Sequence, residues 1–501
     1  MARESRACAL VVAVACLPLG NLACGGDLTA APPAPCVAAL PAGVSPFEPA
    51  VEWSRPLLAP GLEGSTALCD LDGDGRLEMI TGIATEVQPR IYTRVSDALT
   101  GVEKWTSAPG DGGFAYPYCV DVNDDGVLDV LVAGRLGAVL ALSGVDGHKL
   151  WSLGGGAGPA IRGNVYSVVA DDPGSRLLFT TSGGNVLGPE ITPDQRNPGA
   201  LYAFDRTGTV VARWAEPAQR EVFSSAAIVA RRDGTRRIAF GSGGETLPGQ
   251  LFILDFDEAR AEFSLVSQIP SGCPEGGIVP SPTMGDLDGD GEPEVVASDY
   301  CGVTVAARLD GTVLWRDQAT ILFSSANPLF VDLDRDGVFD VVAAFTTLNM
   351  SKPATFAQVH SEIVAIHGAT GRRLWSHEFA GGAFSSPLAV DLDGDGAEEV
   401  IEIATTPLGA ADVIVLDGKT GDVLSRFPIG MTNGTPALAD VDGDGRVDLL
   451  FATQKPEMLP AGAPSYVGDS AVRIEFPAAC GGAAKAFGGF RGYPIHDGLR
   501  P

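Results

Sequence analysis

The sequence predicts an all-β protein, an eight-bladed β-propeller of four-stranded antiparallel blades, with a seven-bladed ring as the alternative. Three observations carry this. A nine-residue acidic loop recurs six times, starting at Asp70, Asp121, Asp286, Asp332, Asp391 and Asp440, with spacings of 51, 165, 46, 59 and 49 residues. Every copy sits in the same order of short β-branched runs. Finally, 64 Gly and 36 Pro among 501 residues punctuate the chain too often for long helices.

Each unit has four elements. An apolar segment such as Ser386-Pro-Leu-Ala-Val390 leads into the acidic loop. A β-branched run follows, as in Glu399-Val-Ile-Glu-Ile-Ala404, then an alternating run, Asp412-Val-Ile-Val-Leu-Asp417. A Gly-rich turn leads to a last strand that often carries Trp: Trp105, Trp151, Trp214, Trp315 and Trp375, with Phe427 in that place in unit seven. The gap of 165 residues holds two degenerate copies, one around Asp171 and one around Asp233. Unit eight ends after its third strand, Val472-Arg-Ile-Glu-Phe476. Val51-Glu-Trp53-Ser54, ahead of the first acidic loop, has the missing signature and is predicted to close the ring.

Outside residues 48–477 the chain reads differently. Arg3 and Arg6 precede an apolar run from Ala7 to Leu19, so residues 1–23 read as a signal peptide. The segment resembles a bacterial lipoprotein signal, which implies Cys24 as the acylated residue. The expected location is therefore membrane-anchored, at the outer membrane or cell surface, with a secreted or periplasmic protein as the alternative. Residues 24–47 are rich in Ala, Pro and Gly and read as a tether, and 478–501 as a C-terminal tail. Export implies oxidised cysteines. Cys273 with Cys301, and Cys36 with Cys480, are the expected disulfides; Cys69 and Cys119, in neighbouring first strands, read as two buried thiols.

The acidic loops point to a metal. Oxygen side chains stand at positions 1, 3, 5 and 9, and Gly at position 6 permits the sharp reversal. The candidate ligands are Asp70, Asp72, Asp74 and Glu78; Asp121, Asn123, Asp125 and Asp129; Asp286, Asp288, Asp290 and Glu294; Asp332, Asp334, Asp336 and Asp340; Asp391, Asp393, Asp395 and Glu399; and Asp440, Asp442, Asp444 and Asp448. An all-oxygen set of this size suits Ca2+, up to about six ions, and four close carboxylates without a cation repel one another. A solvated acidic turn is the alternative for one such loop. Six in register favour calcium.

These loops and their strand context resemble the FG-GAP/VCBS repeats of integrin α-chain propellers and bacterial surface proteins. The resemblance covers about residues 48–477. It implies that the position 1, 3, 5 and 9 side chains and the position 7 carbonyl hold Ca2+ between the first and second strands of a blade, and that the degenerate copies near Asp171 and Asp233 are empty. The closing turns and Trp, as in Asp310-Gly-Thr-Val-Leu-Trp315, also resemble quinoprotein-like propeller repeats. Gly488 to Gly498 looks like a tail segment of exported propeller proteins.

A net charge of −29 without a basic cluster argues against nucleic acid as partner. No GxSxG, HExxH or P-loop occurs, and His148, His360, His367, His377 and His496 share no motif. The repeated Phe-Ser-Ser at Ser224-Ser225, Ser324-Ser325 and Ser385-Ser386 reads as structural, satisfying backbone groups near the channel mouth. The expected function is a binding, adhesion or assembly module at the cell surface, monomeric, touching the membrane only through a lipid anchor. Its ligand is an unknown protein or polysaccharide, sought on the loops of the face opposite the calcium loops. A propeller-fold polysaccharide lyase or other carbohydrate-active enzyme is the alternative.

Overall fold

The computed structural model describes residues 44–57, 65–83, 92–110, 115–134, 138–153, 161, 164–171, 174–184, 197–231, 233–244, 247–320, 323, 326–347, 359–406, 410–432, 434–458 and 464–477. The signal peptide, Cys24, Cys36, Cys480 and the tail lie outside them, as does most of the tether.

The described strands form eight antiparallel sheets in chain order. Blade 1 is Thr66–Cys69, Glu78–Ile83, Tyr92–Asp97 and Glu103–Thr106, each strand paired to the next. Blades 2 to 7 repeat this order. Blade 7 has a divided first strand, with Gly382–Ala383 and Leu388–Val390 both pairing Glu399–Thr405. First strands such as Leu329–Val331 are wholly buried, whereas last strands such as Glu262–Pro270 are exposed at most positions. The first strands therefore line the axis and the last strands face solvent.

Blade 8 combines both ends of the described chain. Ala437–Ala439, Asp448–Met458 and Pro464–Glu475 are joined by Ala50–Leu57, which pairs antiparallel to residues 469–475. The N-terminal strand closes the ring, and eight is the blade count. Residues 453–458 and 464–468, whose Gly and Pro content suggests a loop, extend the second and third strands of this blade as a long hairpin.

The hydrophobic core is eight separate clusters, one between each pair of neighbouring blades. The cluster at the seam holds Trp53, Leu450 and Ala471 of blade 8 against Leu68, Met79 and Ala98 of blade 1. Trp53 is the key of this joint. Its ring lies over Gly101 in the last turn of blade 1, where a Cβ would come within 2.7 Å of it, and its Nε1 donates to the Ala98 carbonyl at 3.2 Å. Trp105, Trp315 and Trp375 repeat the bond to Gly144, Gly368 and Gly418 at 2.8, 2.5 and 2.6 Å.

Register corrects two members of the tryptophan series. The residue after the strand irregularity is Trp53 in blade 8 and Trp375 in blade 6, but Ala212 in blade 3 and Ser425 in blade 7. Trp214 lies two residues further on, against Phe240 and Phe252 of blade 4. Phe427 packs at the edge of the blade 7/8 cluster. The tryptophans of the series stand four residues past the turn glycine, as Trp105 does from Gly101 and Trp375 from Gly371, whereas Trp214 and Phe427 stand six past Gly208 and Gly421, on the same face but one residue pair further along the strand. Ser425 has its own explanation. Blade 8 has no last turn, because its third and last strands come from opposite ends of the chain. Phe47 fills that place: it packs on the blade 7/8 cluster, and its carbonyl accepts the Ser425 hydroxyl. The segment assigned to the tether thus ends before Phe47.

A belt of hydrogen bonds links the blades just ahead of their first strands. Ser167 N donates to Ser225 Oγ, Ser225 N to Ser281 Oγ, Ser281 N to Asn327 Oδ1, Asn327 N to Ser386 Oγ, and Ser386 N to Thr435 Oγ1, all at 2.7–3.1 Å. Thr435 N donates to Ser65 Oγ at 3.3 Å, carrying the belt across the seam into blade 1. These residues are buried, so Ser225 and Ser386, like Ser224, which accepts from Gly241 N, do satisfy backbone groups, while Ser324 and Ser325 lie outside the described residues.

Cys273 and Cys301 are bonded, with Cα atoms 5.1 Å apart. Cys69 and Cys119 are also bonded, at 6.6 Å, rather than being two free thiols. Neighbouring first strands converge on the axis, and both cysteines stand close to the start of an acidic loop, so they meet at one height.

Two outcomes are expected. Trp53→Ala should cost about 3–5 kcal/mol in denaturant unfolding, because the side chain is buried in the seam; a cost under about 1 kcal/mol would show that the seam does not bear on stability. Peptide mapping without reductant should recover Cys69 linked to Cys119 and Cys273 linked to Cys301, with none of the four alkylated as a free thiol.

Candidate metal centres

Each intact acidic loop joins the first and second strands of its blade, so all six lie on one face of the ring. The local fold follows from the sequence. The position 1 carboxylate turns back and accepts backbone N–H groups. In blade 1, Asp70 accepts from Gly73 and Gly75 at 2.7 and 3.0 Å. Asp286, Asp391 and Asp440 repeat the pattern at 2.7–2.9 Å. Position 5 accepts from the N–H of position 7, as Asp125 does from Val127 at 2.9 Å. Position 6 is a left-handed Gly in every intact loop, with φ between 84° and 89°.

Position 4 is left-handed too, a requirement that sequence reasoning overlooked. Gly73, Gly289, Gly394 and Gly443 meet it in four loops, whereas Asp124 and Arg335 adopt φ of 58° and 61° in blades 2 and 6. A Gly at both positions of D-x-D-G-D-G was the available signal.

Position 9 carries the main electrostatic load. Glu78, Asp129, Glu294, Asp340, Glu399 and Asp448 are 0–4% exposed. One oxygen of each accepts the N–H of position 2 at 2.7–3.1 Å. In the two loops that end in Asp and have no Arg on that carboxylate, the second oxygen is also engaged. Asp129 accepts from Gly144 and Asp340 from Gly368, both at 3.2 Å. Those glycines carry the carbonyls that hold Trp105 and Trp315. The loop is thereby tied through the last turn of its own blade to the tryptophan of the previous one.

Burial pushes these carboxyls up: Asp129, Asp340 and Asp448 to about 6, Glu294 to about 7 and Glu399 to about 8. Neighbouring loop carboxylates add to the rise at Glu294 and Glu399, while the backbone bond to position 2 opposes it. At neutral pH the Glu399 carboxyl is therefore held largely protonated, and Glu294 partly so, unless a cation stands beside it.

The donor set fits a hard cation. Ligand oxygens of Asp70, Asp72 and Glu78 lie within 4.8 Å of one another, as do those of Asp286, Asp288 and Asp290, of Asp332, Asp334 and Asp340, and of Asp391, Asp393 and Glu399. Oxygens about 2.3–2.6 Å from one Ca2+ must lie within roughly 5 Å of each other. His367 Nε2 sits 3.2 Å from Asp336 and joins a further group with Asp334. In the degenerate copies a guanidinium takes over. Arg236 bridges Asp171 of blade 3 to Glu258 of blade 4, at 3.0 and 2.7 Å.

The other face is less completely described. The Cys273–Cys301 bond lies there, beside a shallow cavity of about 390 Å³ lined by Pro270, Ser271, Gly272, Val303, Arg316, Asp317 and Gln318. The loop residues 185–196 and 348–358, which include Asn185, Gln195, Lys352 and Gln358, lie outside the described residues.

An FG-GAP-like repeat family model matches residues 70–132, which span the first two acidic loops. Among solved structures, the chain is similar to the quinohemoprotein alcohol dehydrogenase of Comamonas testosteroni, with 12% identity over 87% of this chain and 78% of that one and a TM-score of 0.56. It is also similar to a europium-containing methanol dehydrogenase, at 12% identity over 86% and 94% of the two chains with a TM-score of 0.55. Sqt1 of Saccharomyces cerevisiae, at 10% identity over 85% and 100%, has a TM-score of 0.54. At these identities the likeness is one of fold alone. No curated protein matches the chain significantly.

The clamp at position 9 can be separated from metal binding. In excess chelator, Asp340→Ala should destabilise by roughly 2–4 kcal/mol, because the buried N–H groups of Leu333 and Gly368 lose their acceptor. Asp334→Ala, an exposed neighbour in the same loop, should stay within about 0.5 kcal/mol of wild type. Equal losses in denaturant unfolding would show that the clamp contributes nothing.

Proposed function

Because the chain is an eight-bladed β-propeller carrying FG-GAP-like repeats, we propose that it is an exported, calcium-stabilised binding module. One observation carries the calcium reading: the position 9 carboxylate is buried in all six loops, and in those of blades 1, 6 and 7 it meets further oxygen side chains at one point of the fold. Six independent turns on a solvated face would not each bury that residue. Bound Ca2+ supplies positive charge and a fixed oxygen shell. The chain's own residues pre-form the loop, through the bonds of positions 1, 5 and 9 to backbone N–H groups.

Export is supported by the two disulfides, which persist in oxidising compartments. The lipoprotein-like signal, with Cys24 as the anchor, adds a surface or outer-membrane location to the proposal. The binding role rests on architecture. The ring is braced by the belt, the tryptophans and the disulfides, and a rigid ring presents its connecting loops as a fixed surface. A protein or polysaccharide partner on the face opposite the acidic loops is the reading carried forward.

Calcium binds the folded loops and not the unfolded chain, so each site should add about 2.7 kcal/mol at a hundredfold excess of ion over Kd. EGTA should lower the melting temperature markedly. Ca2+ should restore it and Mg2+ should restore it poorly, since Mg2+ holds its waters in an octahedral shell. Identical melting curves with and without chelator would sink the proposal.

A further inference from the structure

The six loops share one pattern but not one electrostatic state. In blade 1, Lys104 Nζ lies 2.8 Å from Asp72 Oδ2 and also bonds Glu78. In blade 5, Arg308 Nη2 lies 2.8 Å from Asp288 and 3.5 Å from Asp290. In blade 8, Arg473 Nη2 lies 2.7 Å from Asp442, and its Nε lies 2.6 Å from Asp448. All three cations reach the carboxylate at position 3. In blades 2, 6 and 7 the position 3 residues Asn123, Asp334 and Asp393 have no Lys or Arg partner among the described residues. The nearest cations there lie at the rim: Arg206 reaches Asp124, and Arg335 reaches Asp395.

Shared ancestry of the repeats does not account for the cations. Lys104 stands on a last strand, next to Trp105. Arg308 pairs with Glu294 at the end of a third strand. Arg473 pairs with Trp53, two residues from the end of its own third strand. Three different registers deliver a positive group to the same point. The degenerate copies apply the same device, since Arg236 holds Asp171 where the pattern has lost its acidic residues.

Resting on the calcium reading above, we propose that Lys104, Arg308 and Arg473 are built-in substitutes for the metal, so that the loops of blades 2, 6 and 7 bind Ca2+ and those of blades 1, 5 and 8 do not. An ammonium or guanidinium between the position 3 and position 9 oxygens, or between positions 3 and 5, neutralises them and occupies the side of the cage where the ion would sit. Metal entry then requires breaking two charge-assisted bonds. The ring thus divides into metal-dependent and metal-independent seams.

Equilibrium dialysis of the full, chelator-stripped chain against Ca2+ on the order of 1 mM tests this. The expected count is three ions per chain in the wild type, four in Lys104→Met, and five in Lys104→Met with Arg308→Met. Lys104→Arg, which keeps the charge, should remain at three. Circular dichroism of each variant with Ca2+ verifies that it is folded. Six ions in the wild type would overturn this inference and leave the calcium reading standing. Three ions in the wild type with no gain in the variants would also overturn it, because the cations would then exclude nothing. No bound calcium in any variant would remove the calcium reading itself, and this inference with it.

Discussion

Blades 3 to 8 of this ring each borrow a hydrogen-bond acceptor from the next. The N–H just ahead of a first strand belongs to a buried residue and finds its acceptor outside its own sheet. That acceptor is the hydroxyl or amide oxygen of the following blade, from Ser225 round to Ser65. A buried N–H without an acceptor costs about 1–3 kcal/mol. A blade on its own would carry that cost at its inner end and an exposed apolar face at its side. Neighbours are therefore a condition of each blade's stability, and closure follows from the same condition: the bond from Thr435 to Ser65 exists only if the two ends of the chain meet.

The outer edge obeys the same logic with different groups. A tryptophan from one blade lies on the last turn of the next, and only a residue without a Cβ fits beneath it in that left-handed turn. Blade 8 cannot offer such a turn, since its last strand starts a new stretch of chain. Ser425 and Phe47 share the work there, the smaller side chain leaving room for the incoming Phe. The seam is thus a modified copy of the other joints, with the missing turn replaced by the residue that precedes the closing strand. The Cys69–Cys119 bond reinforces the next joint, between blades 1 and 2.

Most of this architecture was legible in the sequence because it repeats. The acidic loops fixed the unit, the unit fixed the strand count, and the unpaired signature around Trp53 identified the closing strand. Features that do not repeat were hidden. Trp214 and Phe427 looked like members of a series but stand two residues further along their strands than its other members, on the same face. The pairing of Cys69 with Cys119 depends on the convergence of two strands 50 residues apart. Lys104, Arg308 and Arg473 share no motif at all. Only the folded chain shows three registers ending at one carboxylate position. The hairpin of blade 8 was missed for a different reason: its Gly and Pro content imitates a loop, yet the long edges pair.

Position 9 of the acidic loops joins the scaffold to the chemistry. Its carboxyl is buried beside the end of the first strand and holds the position 2 N–H in all six loops. A neutral side chain of the same shape could do that much. An acidic group there adds a charge the fold must answer, and burial, with the neighbouring carboxylates adding to it, raises its proton affinity markedly in blades 2, 5, 6, 7 and 8. The answers differ from blade to blade. Blades 1 and 8 bring a side-chain cation into direct contact with position 9, and blade 5 brings one to its neighbours. Blades 2 and 6 stabilise the carboxylate with a second backbone N–H, taken from the turn that holds the preceding tryptophan. A cation entering those two loops therefore acts on an atom already wired to the joint between blades. Loop occupancy and ring rigidity are coupled there by two hydrogen bonds and one indole, without any movement of a strand.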